Sequence, residues 1–155
     1  PTDRKIQKVD IITIDMGCKI NGYCSDMTRT IFVGEVPKNM KDVYDLVLKN
    51  QEQVLDDMHD GASTKQISKM VDNDFRLHNY DLIHALGHGV GLDIHEGPVL
   101  SINSENTLKE NMIVTDEPGI YIPGQFGIRI EDTVLINKGT CEPLTKSNKK
   151  YVIVR

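Results

Sequence analysis

Residues 11–32, IITIDMGCKINGYCSDMTRTIF, restrict the fold of this chain more than any other stretch. Val9–Gly17 and Tyr23–Val33 alternate in polarity and are rich in β-formers, so both are predicted strands. Asn21-Gly22 between them is a strong hairpin signal, because a two-residue turn of the favoured type needs positive φ at both positions. Yet each strand carries an aspartate, Asp15 or Asp26, and a lone buried carboxylate is costly. With a two-residue loop, Ile20 faces Tyr23, Gly17 faces Asp26 and Asp15 faces Thr28. Asp15 and Asp26 are then diagonal neighbours on one sheet face, about 7–8 Å apart at Cα. A slip of one residue would send one of them to the other face.

The same oddity returns downstream. Met112–Ile122 and Gly127–Ile136 form a second predicted hairpin, in which Glu117-Pro-Gly119 matches Asp15-Met-Gly17 and Glu131-Asp-Thr133 matches Asp26-Met-Thr28. Each hairpin thus offers an acid-x-Gly and, after the turn, an acid-x-Thr, with the acids eleven residues apart in the first and fourteen in the second. Any one of these acids also reads as a solvated hairpin residue or a surface ion-pair partner. Four of them in a repeated frame point to convergence. Four carboxylates on one face cannot all ionise near neutral pH without cations. Two divalent ions with a shared hydroxide bring such a cluster close to neutrality, and an oxygen-rich set suits manganese, cobalt or zinc.

Between the hairpins, Met40 to Met58 repeat at helical spacing after Pro37, with Gly61 placed to end the helix. Ser63-Thr-Lys-Gln66 is a capping-box pattern opening a second helix, with Ile67, Met70, Val71 and Phe75 on one face. The block DLIHALGHGVGLDIHEGP holds too many glycines for a long helix and reads as a strand entering a backbone-dense loop. Three of the five histidines, His84, His88 and His95, fall in it. In a strand, His84 and His88 share a face. His88 sits between Gly87 and Gly89, where backbone can approach a ligand closely. His95 precedes Glu96-Gly97-Pro98, a turn-like rim position. His59 and His78 lie on or at the end of helices and carry no such pattern, and Tyr151–Val154 reads as a closing edge strand. Two hairpins around two helices make an α+β domain, and nothing in the composition divides residues 1–155.

No apolar run approaches the roughly 18 residues a membrane span needs, and PTDRKIQK lacks a signal-peptide core. A formal charge of −5 argues against nucleic acid as the main partner. Three cysteines without a C-x-x-C pair fit a reducing, cytoplasmic setting, with Cys18 and Cys24 packing as small residues.

The blocks IDMGCKINGYCSDMTRT, HALGHGVGLDIHEGP, VTDEPGIYI and GIRIEDTVLI, in that order, resemble the metallopeptidases of the pita-bread fold. The resemblance is to their Xaa-Pro dipeptidase (prolidase) and Xaa-Pro aminopeptidase branch. It implies a mostly antiparallel curved sheet with helices on one face. It also implies that this chain is the C-terminal part of the catalytic domain, without its N-terminal half and a further active-site histidine. It implies five ligands for two divalent ions, manganese first and cobalt or zinc as alternatives: Asp15, Asp26, His88, Glu117 and Glu131. Glu117 is then the proton shuttle, His95 supports the tetrahedral intermediate, and His84, His95 and Arg129 form the substrate site, Arg129 in a supporting role beside the metals. The implied function is an exopeptidase that cleaves Xaa-Pro bonds by hydroxide attack on small proline peptides. Its parent would be a homodimer, and the shortened chain would self-associate and be poorly active. A non-catalytic binding module of this fold, or another peptidase of it such as a methionine aminopeptidase, is the competing expectation.

Overall fold

Two antiparallel hairpins laid side by side frame the molecule. In the computed structural model, which describes residues 2–155, the first hairpin has a base of β1 (Ile11–Met16) and β4 (Met27–Val33). Its tip is β2 (Lys19–Ile20) and β3 (Tyr23–Cys24). Asn21 and Gly22 take φ values of 52° and 90°, as the two-residue turn requires. Ile20 therefore pairs with Tyr23 and Asp15 with Thr28, the expected register. Cys18 lies at the Ser25 level, with its thiol 3.3 Å from the Ser25 hydroxyl, while Cys24 pairs with Lys19. The two cysteines thus sit on successive, opposite-facing levels and stay free.

The helices are α1 (Lys38–Asp57) and α2 (Thr64–Leu77). α1 buries Val43, Tyr44, Val47 and Val54. It ends earlier than the expected stop: Met58 is already extended, and Gly61, at φ 89°, turns the chain toward α2. Ser63 caps α2 as its sequence predicts, its hydroxyl accepting from the Gln66 N–H at 3.3 Å. Ile67, Val71 and Phe75 pack inward into one core shared with Phe32, Leu86, Leu100, Ile128 and Val134. No helix among the described residues is long and apolar enough to cross a membrane.

The glycine-rich block differs from the expectation. It holds two strands, β5 (Gly87–Gly89) and β6 (Glu96–Leu100), antiparallel with a register shift between His88 and Gly89. Glu96-Gly97-Pro98 is thus strand rather than turn. Pro98, reached through a cis peptide bond, is tolerated because β6 is the edge of its sheet. His84 lies in a bend before β5, outside the strand expected to hold it. Gly87 and Gly89 are required by close approach: a Cβ would stand 2.0 Å from the Thr115 carbonyl oxygen and 2.2 Å from that of Gly97.

The second hairpin breaks at both of its acids. β7 (Ile113–Asp116) and β10 (Asp132–Ile136) make the base, and β8 (Gly119–Ile122) and β9 (Phe126–Arg129) the tip. β11 (Cys141–Pro143) adds to β10, and β12 shortens to Ile153–Val154, pairing parallel with β4. The expected continuous sheet is therefore four sheets among the described residues, two base sheets ordered β1-β4-β12 and β11-β10-β7-β5-β6 plus the two tips. The hairpins join along β4: the Glu131 N–H donates to the Thr28 carbonyl at 3.0 Å, and the Thr30 hydroxyl donates to the Arg129 carbonyl at 2.8 Å.

Gly87→Ala forces β5 and β7 apart and is expected to destabilise the chain by about 1–3 kcal/mol. Gly139→Ala, which meets nothing within 4 Å, should leave the urea midpoint unchanged. Equal midpoints for the two variants would refute the close-approach account.

Candidate metal centre

The seam between the hairpins gathers acids from four chain segments. Asp15 is the penultimate residue of β1, with a half-exposed side chain, and Asp26 lies just before β4. Glu117 sits at the break between β7 and β8, and Glu131 at the break between β9 and β10. The pairings Asp116–Asp132 and Gly119–Arg129 share one register, which sets Glu117 directly opposite Glu131. The first hairpin is offset instead, with Asp15 and Asp26 diagonal. Ligand atoms of Asp15, Asp26 and Glu131 all lie within 4.8 Å of one another, and so do those of His88, Glu117 and Glu131. Glu131 belongs to both groups. A third group of the same tightness combines Asp26 and His88 with the exposed His95.

Threonines hold this arrangement. The Thr28 hydroxyl donates to Glu131 Oε2 at 2.6 Å, and the Thr133 hydroxyl donates to the Asp26 carbonyl at 2.7 Å. Each acid-x-Thr frame thus grips the acid of the other hairpin. The Thr115 hydroxyl donates to Glu117 Oε1 at 3.1 Å and accepts the His88 N–H at 3.0 Å. Arg129 pairs with Asp15, and its Nε donates to the Thr28 hydroxyl at 3.1 Å and Nη1 to the Tyr121 hydroxyl at 2.8 Å.

The remaining expected residues line a cleft of about 640 Å³ over the acids, with Ile83, His84, His88, His95, Val99, Glu117, Tyr121 and Arg129 in its wall. His84 and His88 reach this one cleft from a bend and a strand. Nδ1 of His84 lies 2.7 Å from the Ala85 carbonyl, and its buried Nε2 has no partner. His95 stacks edge-on to His88 with ring centroids 4.3 Å apart. Sequence patterns did not single out Tyr121 or Thr115. The position of Tyr121 two residues beyond an acid-x-Gly was the one available signal.

The electrostatics favour a cation. Burial raises the carboxyl of Glu131, with added repulsion from Glu117 and Asp26 against the pull of the Thr28 hydroxyl, and the group is pushed up to about 8. Burial likewise raises Asp26, with Asp15 adding to it, and raises Glu117 against the pull of His84 and Thr115. His88 supplies a second sign. The Gly89 carbonyl, 3.0 Å from Nδ1, can only accept, so Nδ1 donates to it and Nε2 is the atom turned toward Asp26 at 3.6 Å and Glu117 at 3.3 Å. Lone pairs facing carboxylate oxygens repel one another unless a cation or proton lies between. A mixed oxygen and imidazole donor set of this kind fits divalent ions.

The pattern of Metallopeptidase family M24 matches residues 1–138. The chain is 41% identical over 153 residues to an Xaa-Pro dipeptidase of Pyrococcus furiosus, covering 97% of this chain and 44% of that protein. Among solved structures, a dipeptidase from Pyrococcus horikoshii superposes with a TM-score of 0.95 at 39% identity, covering 99% of this chain and 44% of that one. An X-Pro aminopeptidase from Thermotoga maritima does so with 0.94 at 37%, with the same coverages. These neighbours give the chain the pita-bread architecture. The chain spans less than half the length of the curated relatives it matches. The expectation of a C-terminal piece is not supported by these overlaps, which give the length of the shared stretch and not its place in the relatives.

The raised carboxyls make a pH prediction. In the unfolded chain these groups lose their protons near pH 4, whereas in the folded chain Asp26, Glu117 and the fully buried Asp116 hold them to higher pH, and Glu131 to about 8. Across that window the native state binds more protons than the unfolded state, so stability of the metal-free chain falls as pH rises from about 4.5 to about 8. Urea unfolding in chelator at pH 5, 6.5 and 8 should show the decline, and Glu131→Gln should make it shallower while Asp26, Asp116 and Glu117 maintain the rest. A rise in stability over that range would contradict the assignment.

Proposed function

Because the chain belongs to metallopeptidase family M24, we propose that it carries the metal-binding face of an Xaa-Pro dipeptidase or aminopeptidase. Asp15, Asp26, His88, Glu117 and Glu131 would hold two divalent ions, manganese first and cobalt or zinc as alternatives. Family membership itself implies divalent metal. The observation that carries the two-ion reading is the pair of ligand groups sharing Glu131. Xaa-Pro dipeptidases stand among its relatives at 41% and 39% identity. We take residues 1–155 to act as one part of a catalytic domain, within a cytoplasmic homodimer that works on small proline peptides and not on nucleic acid.

When bound, the ions would polarise the scissile carbonyl and lower the pKa of the attacking water. The protein's own groups do the rest. Glu117, held at Oε1 by the Thr115 hydroxyl, takes the proton from that water and passes it to the departing nitrogen. His95, at the rim beside His88, donates to the developing oxyanion. His84 stands in the cleft wall as the second imidazole to contact substrate, its Nε2 buried beside Gly119. Arg129 is immobilised by Asp15, Thr28 and Tyr121, so it fixes Asp15 rather than reacting. An imide bond before proline has no N–H, so discrimination rests on shape, and Ile83, Val99 and Tyr121 supply the apolar wall for it.

Asp26→Asn removes an acid from the Asp15–Asp26–Glu131 group. It is expected to reduce bound manganese from two ions per chain to one or none by elemental analysis, and to abolish Mn2+-dependent Ala-Pro hydrolysis by the protein that carries this chain. Unchanged stoichiometry in Asp26→Asn would refute the ligand assignment. Full metal loading without Xaa-Pro hydrolysis would favour the binding-module reading.

A further inference from the structure

Behind the acids, on the side away from the cleft, Arg29 is buried to 8% exposure and spends all five of its N–H donors. Nη1 donates to the Thr28 carbonyl at 2.8 Å and to the Glu131 carbonyl at 2.6 Å. Nη2 donates to Asp132 Oδ1 at 2.6 Å and to the Ser147 carbonyl at 2.9 Å, and Nε donates to the Asn148 carbonyl at 3.1 Å. One planar group therefore ties the first hairpin, the second hairpin and the segment 147–148 together. Two of its five acceptors are the main-chain oxygens of the residues that meet at the seam.

Asp132 is wholly buried and takes a second cation, Lys149 Nζ at 3.2 Å, which also donates to Gln51 Oε1 at 2.9 Å. Charge compensation of Asp132 is therefore divided between Arg29 and Lys149. Contact with the Thr28 and Glu131 carbonyls belongs to Arg29 alone of the two. That difference separates holding the fold from holding the seam.

We infer that Arg29 is a positioning residue for the metal pair: it acts through Glu131, the ligand common to both groups, by locking the Thr28–Glu131 backbone bridge. A guanidinium suits this task because its rigid fork meets two carbonyls and a carboxylate at once. A lysine keeps the charge at Asp132 and cannot hold both carbonyls. The inference rests on the two-ion reading for its consequence, and on the seam geometry alone for its cause.

The test uses the 155-residue chain in three altered forms: Arg29→Lys, the neutral pair Arg29→Gln with Asp132→Asn, and Lys149→Met as the control. In the metal-free proteins, amide hydrogen exchange is followed at Glu131, whose N–H bonds to Thr28, and at Ile136, whose N–H bonds to Met112. Both Arg29 variants are expected to exchange Glu131 about tenfold faster or more with Ile136 nearly unchanged, the pattern of local opening. Lys149→Met should show no such selective change. Mn2+ titration should then find the second ion bound at least about tenfold more weakly in Arg29→Lys than in the unaltered chain, with Lys149→Met still binding two. Unchanged exchange at Glu131, equal acceleration at both amides, or failure of both Arg29 variants to fold would overturn the positioning role in favour of none or a purely structural one. An unaltered chain that binds fewer than two Mn2+ would count against the two-ion reading alone, because the exchange result decides the seam without metal.

Discussion

The bridge between Thr28 and Glu131 is the interaction on which the rest depends. Neither hairpin alone brings four carboxylates together. The first supplies Asp15 and Asp26 on a diagonal, and the second supplies Glu117 and Glu131 face to face. Only the seam sets one pair against the other, and three layers hold it. The backbone bridge is the first, and the crossed hydroxyls of Thr28 and Thr133 are the second. The third is the Arg29 guanidinium behind it. The threonine of each acid-x-Thr frame is thereby explained, since each one secures an acid of the opposite hairpin.

Such a site is at odds with the stability of the metal-free chain. Burial of Asp26, Glu117 and Glu131 raises their proton affinity, and the threonine hydroxyls offset only part of that cost. The sheet tolerates the acids because core packing elsewhere is dense. Phe32, Tyr44 and Tyr151 form an edge-packed aromatic cluster beneath β4 and β12. Apolar side chains of α1, α2 and the two base sheets close around one core. Strain at the site and support away from it are the arrangement expected of a functional centre.

Legibility followed locality. The first register was readable to the residue because Asn21-Gly22 permits essentially one turn geometry. The capping of α2 was readable because Ser63 and Gln66 stand in the same turn. The second hairpin was read in outline and missed in detail, because its ladder breaks at Glu117-Pro118 and at Glu131, which local pattern does not reveal. β6 was missed because Gly97-Pro98 carries a turn signal that an edge strand can override. The shared face of His84 and His88 was expected from strand spacing, but it arises from a bend and a strand converging on one cleft. The roles of Tyr121 and Thr115 lay beyond reach, since each depends on a partner that folding alone supplies.

The amino-acid order by itself determined which side chains could bind cations, the turn that pairs Asp15 with Thr28, and the recurrence of one acid frame in two hairpins. Those properties reside in single residues and in contacts within a hairpin, where chain connectivity sets the geometry. Tertiary structure decided that the two frames meet, that Glu131 belongs to both groups of candidate ligands, and that Arg29 stands behind it. Thr28 and Glu131 are separated by 103 residues, and no local rule specifies register across that distance. It is settled by the common core under both hairpins and by five directed hydrogen bonds from one buried guanidinium.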